Sequence, residues 1–325
     1  MTRTKLWLAL ASCLVLHSPS ARAAAPFQDL LVQPPSIGTP QRGSLAGTLS
    51  RLAFGPGDLA RGAFVLPLPI DAPGDRGPLL AKVVPSYSAE TGIGEWGVGW
   101  QADLAIRRYR SRGEVNFIDD EFTSPWGRLV AADDGNYYPA GLTSVIRVAP
   151  TGAGWIAQTQ DGTTFSFDLV DAVVTPQGSF AWMLSRVDTI TGDSTTLDWT
   201  HNASGRPFLT AVHWGGRGDG TQYRMTLDYT SLASPFVSYT SGTKQLLDRR
   251  VSRVTVDVLA DGTYATRWRY DLAYQTSPSG PAFYLHQITR TFASGQADPS
   301  ITYDYDFNVE RFATAQLVHA PGLDG

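Results

Sequence analysis

Ser241-Gly242-Thr243-Lys244 has the S-x-x-K spacing of serine–lysine acyl transfer. That chemistry needs the serine at a helix start, so that the lysine one turn on can reach its hydroxyl. Here the tetrapeptide lies between runs that alternate like strands, and no Lys-Thr-Gly occurs elsewhere. It reads as a polar turn. Arg217-Gly218-Asp219 is an integrin-type tripeptide inside a glycine-rich loop, which points to adhesion through a loop tip. Glycine and aspartate are equally what a turn requires. Asp119-Asp120-Glu121 and Asp133-Asp134 offer oxygens to calcium, but without ligand spacing or a closing glutamate. Asp304, Asp306 and Asn308 are spaced like the opening of a calcium loop. They alternate with Tyr303, Tyr305 and Phe307, which fits one polar face of a strand. His201, His213, His286 and His319 are scattered, with no zinc spacing. No G-x-S-x-G elbow occurs. Gly92, Gly94 and Gly97 make a loose G-x-G-x-x-G, but no helix pattern follows to hold a phosphate. The expectation is a chain with no catalytic residue, no metal and no cofactor. A carboxylate pair for glycoside hydrolysis stays open, because such a pair need only meet in space.

The elements around these residues are strands. Tyr87–Arg108 organises the chain. Its glycines, Gly92, Gly94, Gly97 and Gly99, suit tight turns or close backbone approach. Trp96 and Trp100 between them suit buried anchors whose indole N–H finds a partner. From Trp100 the period becomes two. Trp100, Ala102, Leu104 and Ile106 fall on one face, and Gln101, Asp103 and Arg107 on the other, which predicts one half-buried strand. Upstream, Phe64, Leu66, Leu68 and Ile70 alternate with Pro67 and Pro69, as on an edge strand. Downstream, Trp155–Gln160 and Thr163–Leu169 flank Asp161-Gly162, the strongest hairpin signal. Trp182–Ile190 with Thr195–Thr200, Leu209–Trp214 with Tyr223–Tyr229, and Arg253–Leu259 with Tyr264–Tyr274 repeat the pattern, and Ile301–Phe307 is the last alternating run. The fold class predicted is all-β: a large curled antiparallel sheet of sequential hairpins, shell- or sandwich-like, with almost no helix.

The first residues read as a signal peptide, 1–23. Arg3 and Lys5 precede an apolar Leu6–Leu16 core too short to span a bilayer, and Ala21-Arg22-Ala23 is an A-x-A cleavage site. An alternative is a lipobox at Leu10–Cys13, although the apolar run continues past Cys13. Export to the periplasm or beyond is expected. Loss of Arg3, Lys5 and Arg22 takes the 26 basic residues to 23 against 30 acidic ones, a net charge of −7. That balance argues against nucleic acid and against an anionic membrane surface. No later segment has the length and apolarity of a membrane span. Residues 24–60 form a Pro/Gly-rich extended leader, 61–312 the all-β domain, and 313–325 a tail.

Gly97, Gly99, Trp100, Leu104, Ile106 and Arg107 also carry a resemblance. They match the Gly-x-Gly-Trp segment and following strand of the N-terminal domain of the Salmonella virulence-plasmid B protein and of insecticidal toxin complex B components. Gly62–Phe64, Leu66–Ile70, Pro73-Gly74, Pro85–Ser88, Asp161–Thr163, Trp182–Asp188 and Arg249–Val258 look like the same family. The resemblance covers roughly residues 45–310. It implies a wide β-shell around a toxin segment and a protein partner, either a Rhs/YD-repeat or other toxin-complex subunit, or the chain's own continuation. The Salmonella relative carries an ADP-ribosyltransferase in a separate domain whose motif includes Glu-x-Glu. This chain has no Glu-x-Glu, and its end at Leu317–Gly325 suggests a fragment or a split system. The functions expected are therefore an exported non-catalytic scaffold or docking domain, then a secreted carbohydrate-binding or carbohydrate-active β-protein, then an adhesin. Such a sheet leaves long edges, so the chain alone is expected to aggregate.

Overall fold

Alternation of apolar and polar residues becomes, in space, one large antiparallel sheet and the segment that covers it. The computed structural model describes residues 66–89, 91–141, 145–217, 221–278, 280–305 and 307, which are strands, turns and irregular links with no helix. Phe64, Glu90, the leader, Arg217's side chain with Gly218 and Asp219, Asp306, Asn308, Glu310, His319 and the tail lie outside this description.

Five short strands come first: β1 (Leu66–Pro67), β2 (Ser86–Tyr87), β3 (Ile93–Gly94), β4 (Gly97–Val98) and β5 (Trp100–Gln101). Then follow β6 (Ala105–Tyr109), β7 (Glu121–Ser124), β8 (Gly127–Ala131), β9 (Tyr137–Pro139), β10 (Ile146–Thr151), β11 (Gly154–Thr159), β12 (Thr164–Thr175) and β13 (Gly178–Asp188). These eight close into a barrel, because β12 pairs with both β11 and β13 while β13 also pairs with β6. Eight strands enclose a space that side chains can fill. Phe122, Tyr137, Trp155 and Trp182 fill it edge to face, with Phe122–Trp155 centroids 4.8 Å apart and Trp155–Trp182 5.7 Å apart. The Arg108 guanidinium lies 5.3 Å from the Phe122 ring and donates to the Ser179 carbonyl.

The second half is an open extension: β14 (Asp193–His201), β15 (Pro207–Arg217), β16 (Tyr223–Ser238), β17 (Gln245–Ala260), β18 (Thr263–Thr276), β19 (Phe283–Phe292) and β20 (Ile301–Thr302), paired in chain order. The hand-over happens on β13. One edge of β13 pairs with β12 along its length. The other pairs with β6 through Ala181–Met183 and then with β14 through Arg186–Asp188. Register shifts recur between neighbouring strands at Asp198/Trp199, Asp228/Tyr229, Val256/Asp257 and Ala273/Tyr274. Each extra residue bends its strand and deepens the twist, which is how so many strands curl.

The strand predicted from Trp100 to Ile106 is two strands. β5 belongs to a small sheet with β2 and β1, whereas β6 belongs to the barrel. The link at Ala102–Leu104 lets the chain leave one layer and enter the other. Buried side chains at Trp100, Leu104 and Ile106 are common to both, so the periodicity survives the break. The alternating run from Leu66 to Ile70 is buried as expected at Leu66, Leu68 and Ile70, but only Leu66–Pro67 pairs as a strand. Asp261-Gly262, both at positive φ, makes a two-residue turn between paired Ala260 and Thr263. Asp161-Gly162 instead lies in a longer loop, because the Asp161 carboxylate accepts from Thr159 Oγ1 and Thr163 N.

Candidate functional site

The glycine–tryptophan segment singled out in the sequence is the later part of a strap, residues 66–89 and 91–104, laid on the apolar face of the open sheet. That face is built by period-two residues on successive strands, Val212 and Trp214, Tyr223 and Met225, Val254 and Val256, Tyr270 and Leu272, and by Leu285 and Ile288, which a register shift on β19 brings to the same face. Leu66, Leu68, Ile70, Val83, Trp96 and Trp100 join them in one buried cluster.

Trp100 is 1% exposed. Its ring meets Tyr87 and Tyr303 edge to face at 5.5 and 5.1 Å, and its Nε1 donates to the Tyr305 hydroxyl at 2.9 Å. Burial pushes the Tyr305 phenol up to about 12. The two glycines before it have different reasons to be glycine. Gly97 has φ +97, and a Cβ there would lie 3.1 Å from the Phe283 carbonyl oxygen of β19. Gly99 has φ +83, and a Cβ would fall 2.3 Å from the Tyr87 ring. The strap therefore approaches β19 by backbone at one glycine and folds over its own tyrosine at the other.

Polar contacts fix the strap's register. The Tyr270 hydroxyl accepts from Asp71 N at 2.9 Å, and the Asp71 carboxylate pairs with Arg290 at 2.6 Å. Trp214 Nε1 donates to the Pro73 carbonyl, and the Tyr223 hydroxyl to Asp75. That hydroxyl, with help from Arg267, holds the Asp75 carboxyl below its ordinary range. Val251 N donates to the Glu95 carbonyl, and Glu95 lies 3.5 Å from Arg206. Beneath this part of the strap, burial pushes the Tyr229 and Tyr274 phenols well up.

Where the strap crosses β18 and β19 a cleft of about 730 Å³ opens, lined by Asp71, Asp75, Arg267, Trp268, Arg290 and Phe292. The Arg267 guanidinium stacks 4.9 Å from Trp268 and lies 3.8 Å from Asp75. Arg290 is engaged by both Asp71 and Asp298. A mixed cleft of this kind presents carboxylate acceptors, guanidinium donors and aromatic faces to a polar ligand.

The other sequence candidates separate. Leu104 and Ile106 are buried at the passage from strap to barrel, where the Leu104 carbonyl accepts from Leu184 N. Arg107 stands outside, paired with Asp103 at 2.7 Å. Trp182 is in the barrel interior, while Asp161 and Gly162 form a barrel turn. The Ser241 hydroxyl of the S-x-x-K tetrapeptide donates to the Thr243 carbonyl, and Lys244 is exposed. The Asp119, Asp120 and Asp134 carboxylates accept hydrogen bonds within their own loops. Among the described residues no three His, Cys, Asp or Glu side chains come together as a metal ion would require. The cleft residues Asp71, Asp75, Arg267 and Arg290 were not singled out by the sequence. Of Asp71–Asp75 only Pro73-Gly74 entered the sequence reading, as part of the resemblance, and the partners of Asp71 and Asp75 lie far along the chain.

No protein-family model and no curated protein matches this chain. Solved structures do. The fold is similar to that of an effector domain. The N-terminal domain of effector protein SpvB from Salmonella typhimurium strain LT2 superposes with a TM-score of 0.58 at 17% identity, covering 73% of this chain and 98% of that one. TcdB2-TccC3 gives a TM-score of 0.58 at 16% identity over 74% of this chain and 16% of its own. A chain of the Photorhabdus luminescens Tc holotoxin pore gives 0.57 at 15% identity, over 74% of this chain and 15% of its own. At these identities the likeness is one of fold, a distant structural relationship.

Proposed function

We propose that this chain is an exported, non-catalytic scaffold or docking domain of a toxin-complex or Rhs-type system. The observation that carries this reading is the likeness of fold between about three quarters of this chain (73% and 74%) and nearly the whole SpvB N-terminal domain (98%), and part of the TcdB2-TccC3 chain (16%). The chemistry of the strap supports it. Its tryptophan N–H, its carboxylates and its glycines are engaged in holding one segment against a sheet. The partner proposed is a Rhs/YD-repeat or other toxin-complex subunit. The test is co-purification of the chain with such a subunit encoded beside it. A stoichiometric complex on size-exclusion supports the scaffold role. A stable monomer with hydrolase or ADP-ribosylating turnover, lost on changing a specific carboxylate pair, overturns it.

A carbohydrate-binding reading has one observation of its own, the cleft at Asp71, Asp75, Arg267 and Trp268. Glycan-array binding abolished by Trp268→Ala would favour it over the scaffold role.

A further inference from the structure

Tyrosine rings meet one another at one place among the described residues, and Tyr305 is in the middle of it. Its ring centroid lies 5.0 Å from that of Tyr284 and 6.3 Å from that of Tyr87. Tyr284 belongs to β19, Tyr87 to β2 of the strap, and Tyr305 to the segment that follows β20. Hydrogen bonds seat the central ring. The Tyr305 hydroxyl accepts from Trp100 Nε1 at 2.9 Å and donates to the Leu285 carbonyl at 3.0 Å. Leu285 is the chain neighbour of Tyr284, so the contact that seats Tyr305 also sets its distance from the second phenol. Phe307 packs against both, with centroids 4.9 Å from Tyr284 and 6.3 Å from Tyr305. The Tyr284 hydroxyl has no protein partner among the described residues. Packing alone would be served by phenylalanine there, so the phenol is left over from what the fold needs. Both tyrosines are half-buried, which leaves each an edge for a small reagent.

Two phenols so placed can be joined. Removal of one electron and the phenolic proton from each gives two phenoxyl radicals, whose unpaired density lies on the oxygen and on the ring carbons beside it. A bond forms between one Cε of each ring, and the two ring hydrogens at that bond move to the oxygens to restore the phenols. The net loss is two electrons and two protons, which one peroxide takes up as two waters. The geometry is near that of the product. The ring planes of Tyr284 and Tyr305 are inclined at 57°, and directly bonded phenols are likewise twisted because the groups beside the bond clash. The sequence holds one cysteine, Cys13, so no disulfide can form within it. We propose that Tyr284 and Tyr305 are a modification site, an oxidative cross-link made when a peroxide acts through a one-electron catalyst, which fastens the segment after β20 to β19. The link closes the loop from Tyr284 to Tyr305 and so constrains the unfolded chain as a disulfide would. It also keeps Tyr303 and Tyr305 against Trp100.

The test is treatment of the full chain, kept dilute, with a small haem peptide and hydrogen peroxide, read by peptide mass spectrometry and dityrosine fluorescence. The expected product is a monomer lighter by two hydrogen atoms, with Tyr284 joined to Tyr305. It should unfold at higher urea than the untreated chain. Tyr284→Phe keeps the ring and removes only the unpartnered hydroxyl, so it should abolish the bridge while circular dichroism shows the fold intact. Tyr239→Phe, at a 66%-exposed tyrosine, should leave the bridge unchanged. The same treatment in urea should lose the preference for this pair, because the preference comes from the fold. A chain that stays unmodified overturns the proposal. So do bridges that join only separate chains, a bridge from Tyr305 to Tyr87 in place of Tyr284, or an equal yield from Tyr284→Phe.

Discussion

Trp100 is the residue on which the strap turns. It is fully buried, its N–H is satisfied by Tyr305, and aromatic edges surround it. Trp100→Ala is expected to destabilise the fold by about 3–5 kcal/mol in urea melts. A change within about 0.5 kcal/mol, the range of surface substitutions, would refute the anchoring role. Gly99→Val and Gly99→Ala should both destabilise, because φ is +83 and the Tyr87 ring fills the space. Gly92→Ala is the control, with no atom within 4 Å of the added Cβ. The tyrosines under the strap make a second prediction. Tyr305 is raised to about 12, and Tyr303, Tyr274 and Tyr229 are raised as well, in each case chiefly by burial. The unfolded chain releases these protons near pH 10, whereas the folded chain keeps them. Folded-state proton binding then exceeds unfolded, so stability is full below pH 10 and falls as pH rises above it. Phenolate absorbance from these residues should appear together with loss of structure. Their ionisation near pH 10 in an intact fold would contradict the burial.

At the scale of elements, the strap is held by apolar burial and by a few long-range polar pairs. Asp71→Asn removes a charge-assisted pair with the largely buried Arg290 and should cost about 1–3 kcal/mol. Hydrogen exchange should show the loosening first in strap amides such as Asp71 N, before the barrel. Asp75, held low by the Tyr223 hydroxyl, contributes stability present above its unfolded value of 3.8 and lost as pH falls through its folded one. Asp75→Asn should therefore flatten part of the acid side of the stability profile, and an unchanged profile would remove Asp75 from that account.

The strap's glycines and Trp100 were legible because backbone conformation and aromatic burial leave marks within a few residues. The Leu66–Ile70 alternation was legible for the same reason. The strap's partners were not, since Trp100 and Tyr305 are 205 positions apart and nothing local at either end names the other. Strands β7 to β10 also went unread. At three to six residues each, with Asp119 and Asp120 just before β7 and Asp133 and Asp134 between β8 and β9, they show little period and much turn chemistry. The barrel depends on them, so a curled sheet was legible but its closure was not.

For the whole molecule, β13 decides cooperativity. The barrel closes on it and the open sheet starts from it, and both lean on the same eleven residues. Neither part can lose β13 without exposing the other's edge. Calorimetry of the protein should therefore show one transition with matching calorimetric and van't Hoff enthalpies. Two resolved transitions would mean that barrel and sheet hold themselves separately.

The strap also imposes a timetable. Its residues are made before those of the sheet, yet the surface that covers Trp100 is finished only when Tyr305 has been made, 205 residues later. At roughly 5–20 residues per second that is a wait of about 10–40 s. Until β15 to β19 have followed in turn, Leu66, Leu68, Trp96 and Trp100 lack the complete sheet they lie on, so the nascent chain carries an apolar ribbon that is covered only in part. Chains arrested before β19 should expose this ribbon to protease and to chaperones. Chains arrested after Tyr305 should protect it. The fold is thus completed from its far end backwards, and the strap, made before the sheet, is the last to find its place.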